Sequence, residues 1–481
     1  MNLEKNRLVV VSNRLPISLS KTGESWTAKP SSGGLVTAMD PILRQRGGVW
    51  IGWPGTTEDI PDLAGILEET TADYGYDVVP VALSEAERDE FYYGYSNEVI
   101  WPLFHDLQTL CNFDPSYWGA YVKINKRFAD AVAERCLPDD FVWVHDYQLM
   151  HVGRSLRKRG VSGRFAFFLH IPFPPLDIFV KLPQQQRILQ DLLQHDLIGF
   201  QTLRDERNFV ECVRRLIPDA QIETHRHSHH IRLGQPQRQV KVGRFPIGID
   251  FEKYATQAAT PEVSRRAWNI HAGFPDRHLI LGVDRLDYTK GIPDRLNAFR
   301  NALERYPELH GKVTFIQIVV PSRTDIPKYN DLKIQIERLV GEINGEFSSG
   351  NWVPIQYIFR SQEFEDLLAY YRTAEIALIT PHKDGMNLVA KEYCACSLEE
   401  VSVLILSRFA GSADQFKRGA IMVNPYDVEQ VADAIYQAVK MPDAERKSRM
   451  QRLRRNAKRE DIFWWVNSFF RAAEIDVSAK S

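Results

Sequence analysis

The heptapeptide "RLDYTKG", Arg285 to Gly291, sets an arginine and a lysine five residues apart directly after the apolar run "HLILGV". The end of a buried strand is a costly place for unpaired cations, so the pair points to a bound anion. The second stretch with chemical content is "TPHKDGMNLVAKEYCAC". Asp384 ends an apolar run, Gly385 turns the chain, and "NLVAKEY" reads as a helix whose first amides can hold phosphate oxygens. Glu392 lies eight residues beyond Asp384, about two helical turns on, within reach of a second part of the same ligand. Acid, glycine turn, helix start and acid suit a nucleotide-sugar, with sugar hydroxyls at Asp384, a diphosphate on the amides and a ribose at Glu392.

Other apolar runs also end on polar side chains. "VVVS" leads into Asn13 and Arg14, "VWV" into His145, Asp146 and Tyr147, "FFL" into His170, and "QIVVPS" into Arg323. In open α/β sheets ligands bind outside the carboxyl ends of the strands. One such ending can be a cap or a salt bridge; a series of them in two sheets describes a lined cleft. Gly33-Gly34, ahead of a helical pattern, fits either an ordinary helix start or a close backbone approach to phosphate. Neither G-x-G-x-x-G nor a Walker A motif occurs, so dinucleotide and P-loop readings lose their support. "HRHSHH" (His225, His227, His229, His230) has no carboxylate beside it and reads more readily as a solvated loop than as a metal site. Tyr92, Tyr95 and Trp101 suit either an aromatic core or the wall of a sugar site.

The elements that must carry these residues are short Val-, Ile- and Phe-rich runs, many continuous rather than alternating, separated by helical patterns. Continuous runs predict parallel strands covered on both faces, hence an α/β fold with doubly wound sheets. Two sets of strands, split at a polar stretch near Phe245, predict a first domain over 1–244 and a second over 245–456. An aromatic helical pattern over 457–481 is expected to pack back on the first. The 481 residues are 44% hydrophobic, enough for substantial cores. With 60 basic and 62 acidic residues the net charge is -2, which offers no basic field to nucleic acid or to an anionic membrane. No apolar stretch reaches the ~18 residues of a membrane span, and the N-terminus lacks a signal-peptide pattern, so a cytoplasmic protein is expected. The five scattered cysteines match no zinc spacing and read as reduced thiols.

Taken together, "VVVSNRLP", "SSGGLVTA", "WIGWPG", "YSNEVIWPLFH", "VWVHDY", "FFLHIPFP", "PIGID", "VDRLDYTKGI", "VPSR", "DGMNLVAKEY" and "VNPYD" resemble the trehalose-6-phosphate synthases. The resemblance runs from about Arg7 to Asp461. It implies the GT-B fold, two doubly wound Rossmann-like domains facing each other across a cleft. It also implies a retaining transfer of glucose from UDP-glucose to glucose 6-phosphate, with no metal or other cofactor, and leaves homo-oligomerisation open. By the same resemblance Arg285, Lys290, His170 and Asp384 are the catalytic set. Arg285 and Lys290 would grip the donor diphosphate beside Gly34, while His170 and Asp384 hold the glucose hydroxyls. Met386, Asn387, Leu388 and Val389 would complete the donor site with their amides, and Glu392 would take the ribose. Arg14 and Arg323 would bind the acceptor phosphate, and Trp50, Tyr92, Trp101 and Asp146 would shape the acceptor pocket. Gln148 departs from the family, which usually has histidine there. Another acceptor, such as glycerol phosphate or a cyclitol phosphate, and a catalytically idle sugar-phosphate binder are the alternatives.

Overall fold

Among the described residues, eleven strands belong to the first part of the chain: β1 (Leu8–Arg14), β2 (Ile17–Thr22), β3 (Ser25–Pro30), β4 (Gly48–Trp53), β5 (Asp77–Pro80), β6 (Phe141–His145), β7 (Arg164–Phe168), β8 (Leu197–Phe200), β9 (Gln221–Thr224), β10 (Ser228–Leu233) and β11 (Arg238–Arg244). Six belong to the second: β12 (His278–Arg285), β13 (Val313–Val320), β14 (Ile355–Phe359), β15 (Ile376–Ile379), β16 (Val403–Ser407) and β17 (Ile421–Val423). The computed structural model describes residues 7–23, 25–31, 34–225, 228–234, 238–322 and 326–475. By their contacts the residues form two compact units, one of 1–246 with 465–481 and one of 247–464.

In the first unit a nine-stranded sheet has the order β5-β4-β1-β6-β7-β8-β11-β10-β9. Its strands are parallel from β5 to β11, and β11, β10 and β9 continue it as an antiparallel meander. β4 and β6 are buried along their whole length, which is why they read as unbroken apolar runs. Of the histidine-rich stretch, His229 and His230 lie in β10, in sheet rather than loop, His225 follows the end of β9, and His227 falls outside the described residues. β2 and β3 pair as a separate hairpin. The aromatic pattern near the C-terminus is carried by the helix Ile462–Ala472, not by one helix over 457–481; residues 457–459 end the preceding helix Asp443–Arg459, and 476–481 lie outside the described residues. Trp465 and Phe469 are buried, and Phe469 stacks on Trp143 with ring centroids 4.2 Å apart.

The second unit is built on a fully parallel six-stranded sheet, β14-β13-β12-β15-β16-β17. Leu279, Leu281, Ile316, Ile318, Leu404 and Leu406 from its strands are the centre of the core beneath the helices of one face. The five cysteines all lie among the described residues, and no disulfide joins them.

Candidate functional site

Strand order decides where each unit can bind a ligand. In the second unit the chain builds β12, β13 and β14 outward in one direction, then returns to place β15, β16 and β17 on the other side of β12. The crevice at the carboxyl ends of β12 and β15 is thus the topological switch point, where no crossover covers the sheet edge. Arg285 ends β12 and is exposed. The chain then makes a 3₁₀ turn, Tyr288–Lys290, whose cap Asp287 accepts hydrogen bonds from the Thr289 amide (3.0 Å) and hydroxyl (2.8 Å). Gly291 follows at φ 61°, and a Cβ there would come 2.8 Å from the carbonyl oxygen of Thr380, so glycine lets the turn close against β15.

That closure brings Lys290 Nζ within 2.6 Å of Asp384 Oδ2, with the side chains only 13% and 14% exposed. Asn387 Nδ2 donates to the same carboxylate oxygen at 3.1 Å. Asn387 is also the N-cap of the helix Leu388–Cys396, accepting from the Ala390 amide at 3.2 Å. The Leu388 and Val389 amides, in the first turn, have no carbonyl one turn back to bind, and the positive end of the helix dipole lies here. Four residues along this helix from Leu388, Glu392 accepts from the Tyr371 hydroxyl at 2.8 Å, and burial pushes its carboxyl above the ordinary range. The sequence-derived donor residues Lys290, Asp384, Asn387, Leu388 and Val389 are therefore brought together, with Met386 buried beside them.

Arg295 went unnoticed in the sequence. It is fully buried, pairs with Asp284, and donates to Thr380 Oγ1 (2.9 Å), Gln317 Oε1 (3.1 Å) and the carbonyl of Lys290 (3.1 Å). It thereby ties the end of β12, the middle of β13 and the residue after β15 to the turn that presents Lys290. The available signal was its place on the apolar face Ile292, Leu296, Phe299 and Leu303, all buried.

In the first unit β4 and β5 are laid down on one side of β1, and β6, β7 and β8 on the other, so the switch point lies between β1 and β6. Arg14 ends β1, exposed, with its guanidinium 4.5 Å from the centre of the Trp53 ring. Among the described residues no carboxylate lies within ion-pair distance of it. Tyr92 sits 5.7 Å from Trp53, delivered by the π-helix Arg88–Ile100, in which Asn97 Nδ2 bonds back to the Tyr92 carbonyl at 2.6 Å. Such widened turns recur at functional sites. Asp146, after β6, has the left-handed φ of 74°, a strained value for a non-glycine residue. Its carboxylate accepts from the His170 amide at 3.1 Å. His170, half-buried after β7, is held neutral because burial lowers its pKa to about 3.

Two expected residues, Trp50 and Trp101, are buried in the core, and a third lies outside the described residues. Trp50 is fully buried in β4, its indole N–H donating to Ser12 Oγ at 2.8 Å, and the indole beneath Arg14 is that of Trp53, at the end of the same strand. Trp101 is 6% exposed and packs on His105 and Tyr147. Arg323 lies outside the described residues, as does Gly33; Gly34 opens the helix Gly34–Arg46.

Residues 6–475 match the model of glycosyltransferase family 20. The chain belongs to glycosyltransferase family 20. It is 41% identical over 464 residues to the UDP-forming α,α-trehalose-phosphate synthase A of Dictyostelium discoideum, covering 96% of this chain and 62% of that protein. It is 41% identical over 476 residues to the trehalose-6-phosphate synthase of Mycolicibacterium gilvum, covering 97% and 93%. Among solved structures, the UDP-forming α,α-trehalose-phosphate synthase of Burkholderia xenovorans in complex with glucose-6-phosphate is similar with a TM-score of 0.87 and 33% identity, over 98% of this chain and all of that one. The α/β class expected from the continuous strands is thus that of the family. Among the described residues no helix is long and apolar enough to cross a membrane, and no three His, Cys, Asp or Glu side chains gather as a metal site.

Proposed function

We propose that this family 20 glycosyltransferase is a UDP-forming α,α-trehalose-phosphate synthase, moving glucose from UDP-glucose to glucose 6-phosphate with retention. The observation that carries the reading is the Lys290–Asp384 pair set at the head of the helix Leu388–Cys396. A cation, a carboxylate and unbonded amides together match a diphosphate joined to a sugar. On binding, the diphosphate takes Lys290, Arg285 and the Leu388 and Val389 amides, while Asp384 turns to the glucose hydroxyls with His170 and Glu392 accepts from the ribose. The C1–O bond to the β-phosphate breaks as the acceptor hydroxyl attacks C1 from the same face. The acceptor proton passes to the leaving phosphate oxygen, giving UDP and trehalose 6-phosphate. Charge gathers on UDP in the transition state, where two cations and helix amides stabilise it most. This route asks for no enzyme nucleophile and for no metal.

On the acceptor side, Arg14 suits a phosphate because its planar fork binds oxygens in pairs, and here it carries no carboxylate partner among the described residues. Trp53 and Tyr92 border it, and we assign Asp146 to the acceptor sugar and Arg323 to the same phosphate. The reading includes a cytoplasmic enzyme, since both substrates are charged phosphates.

Product analysis tests the proposal: UDP-, GDP- and ADP-glucose are each offered with glucose 6-phosphate or glycerol 3-phosphate. Trehalose 6-phosphate from UDP-glucose and glucose 6-phosphate is the expected outcome. A glucosylated product from glycerol 3-phosphate alone would replace the acceptor.

A further inference from the structure

His145, the last residue of β6, is fully buried, and its Nδ1 lies 3.2 Å from Nε2 of His170. Its ring is packed 4.8 Å from Trp143 and 6.5 Å from Trp465. Its other nitrogen, Nε2, is buried and has no hydrogen-bond partner among the described residues. Burial disfavours the charged form of both imidazoles. Two neutral rings in contact share one proton, and two arrangements are open. If His145 carries its proton on Nε2, a buried N–H is left without an acceptor, the costlier kind of unmet group. If it carries the proton on Nδ1, that N–H donates to His170 Nε2 and only a lone pair goes unmet.

We infer that His145 is a positioning residue whose Nδ1–H fixes His170 as the Nδ1–H tautomer, so that His170 offers a hydrogen-bond donor to the donor sugar. The second strut is the Asp146 carboxylate, which takes the His170 amide at 3.1 Å and holds the backbone while His145 holds the ring. Trp465 closes the assembly 6.1 Å from the His170 ring, so the returning C-terminal helix also bears on the orientation. The inference rests on the proposed contact between His170 and the glucose hydroxyls.

The test compares His145→Asn, whose amide N–H stands near the lost Nδ1–H, with His145→Phe, which keeps bulk but cannot donate. Three quantities are measured in the full-length chain: kcat/KM for UDP-glucose, KM for glucose 6-phosphate, and the Kd of UDP alone. Loss of one neutral hydrogen bond predicts a fall in kcat/KM for UDP-glucose of roughly tenfold in His145→Phe. UDP affinity should hold in that variant, because UDP carries no glucose, and the acceptor KM should hold too. His145→Asn should recover most of the loss, and His145→Phe combined with His170→Ala should be no worse than His170→Ala. Should His145→Phe fail to fold, by thermal melting, the Asn variant and its double mutant with His170→Ala carry the comparison. Normal donor kinetics in His145→Phe, equal damage in Asn and Phe, or additive losses in the double mutants would overturn the inference alone. Normal donor kinetics in His170→Ala would instead overturn the sugar contact, and the inference with it.

Discussion

Lys290 Nζ lies 2.6 Å from Asp384 Oδ2, joining the turn after β12 to the segment after β15 across 94 positions of chain. In the proposed reaction Lys290 meets charge that develops only as UDP leaves. Lys290→Ala should therefore lower kcat by about 2–4 kcal/mol of transition-state stabilisation, roughly 30- to 1,000-fold. Steady-state kinetics at saturating UDP-glucose and glucose 6-phosphate check this. Turnover near the wild-type value would remove Lys290 from the leaving group.

Arg295 holds that turn from below, and its loss should be felt first in stability. Arg295→Met leaves the Asp284 carboxylate buried without its cation, a change that costs about 3–5 kcal/mol where a buried pair is broken. Urea unfolding should show the loss, and Arg295→Met with Asp284→Asn should recover part of it. If the single variant unfolds at the wild-type midpoint, the pair is not bearing on the fold.

The residues that sequence reading found are those that stand at the ends of continuous apolar runs. β1, β6, β7, β12 and β15 are buried on both faces, so each run is unbroken and the first polar residue after it marks the carboxyl edge. The same burial hid other things. With both faces covered there is no alternation to tell Trp50 from Trp53, and only the end of β4 separates a core indole from the one beneath Arg14. The π-helix Arg88–Ile100, with its i→i+5 bonds, turns on a longer period than the 3.6 residues by which helices are read from sequence. The Lys290–Asp384 contact needed the strand order, which no local pattern contains. Arg295 shares a face with four apolar neighbours, but an arginine on a helix is ordinarily solvated, and its partners come from two strands, the segment after a third, and a turn.

Lys391 follows Ala390 in the helix that heads the donor site, yet points the other way, buried, donating to the Ile247 carbonyl at 2.7 Å. Burial lowers its pKa to about 7, against the pull of Glu460. An unfolded chain keeps the ordinary lysine value of about 10.4. Between about pH 7 and 10 the unfolded chain thus binds a proton that the folded one does not, so this group makes the fold more stable as pH rises through that window. Urea midpoints at pH 7, 8 and 9 should climb more in the wild type than in Lys391→Met. Parallel curves would show that Lys391 stays charged in the folded protein.

Gly55 decides how Arg14 is held. Its φ is 98°, and a Cβ built there would come 1.8 Å from Arg14 Nη1, so the guanidinium lies directly on the glycine while its face meets Trp53 at 4.5 Å. Gly55→Ala must push Arg14 off the ring, forfeiting a cation–π contact of about 0.5–1 kcal/mol and, more importantly, the aim of the guanidinium. If Arg14 binds the acceptor phosphate, the KM for glucose 6-phosphate should rise about tenfold, the scale of one weakened charge-assisted contact. The Kd of UDP should not change, since its proposed contacts come from Arg285, Lys290 and the helix Leu388–Cys396. An alanine at positive φ also strains the backbone by roughly 1 kcal/mol, which thermal melting will register separately from the kinetic effect. Arg14→Ala should raise the same KM further, and adding Gly55→Ala to it should then cost nothing more in KM, because the side chain that the methyl displaces is gone. A Gly55→Ala enzyme with weakened UDP binding and an unaltered acceptor KM would place Arg14 on the donor side instead.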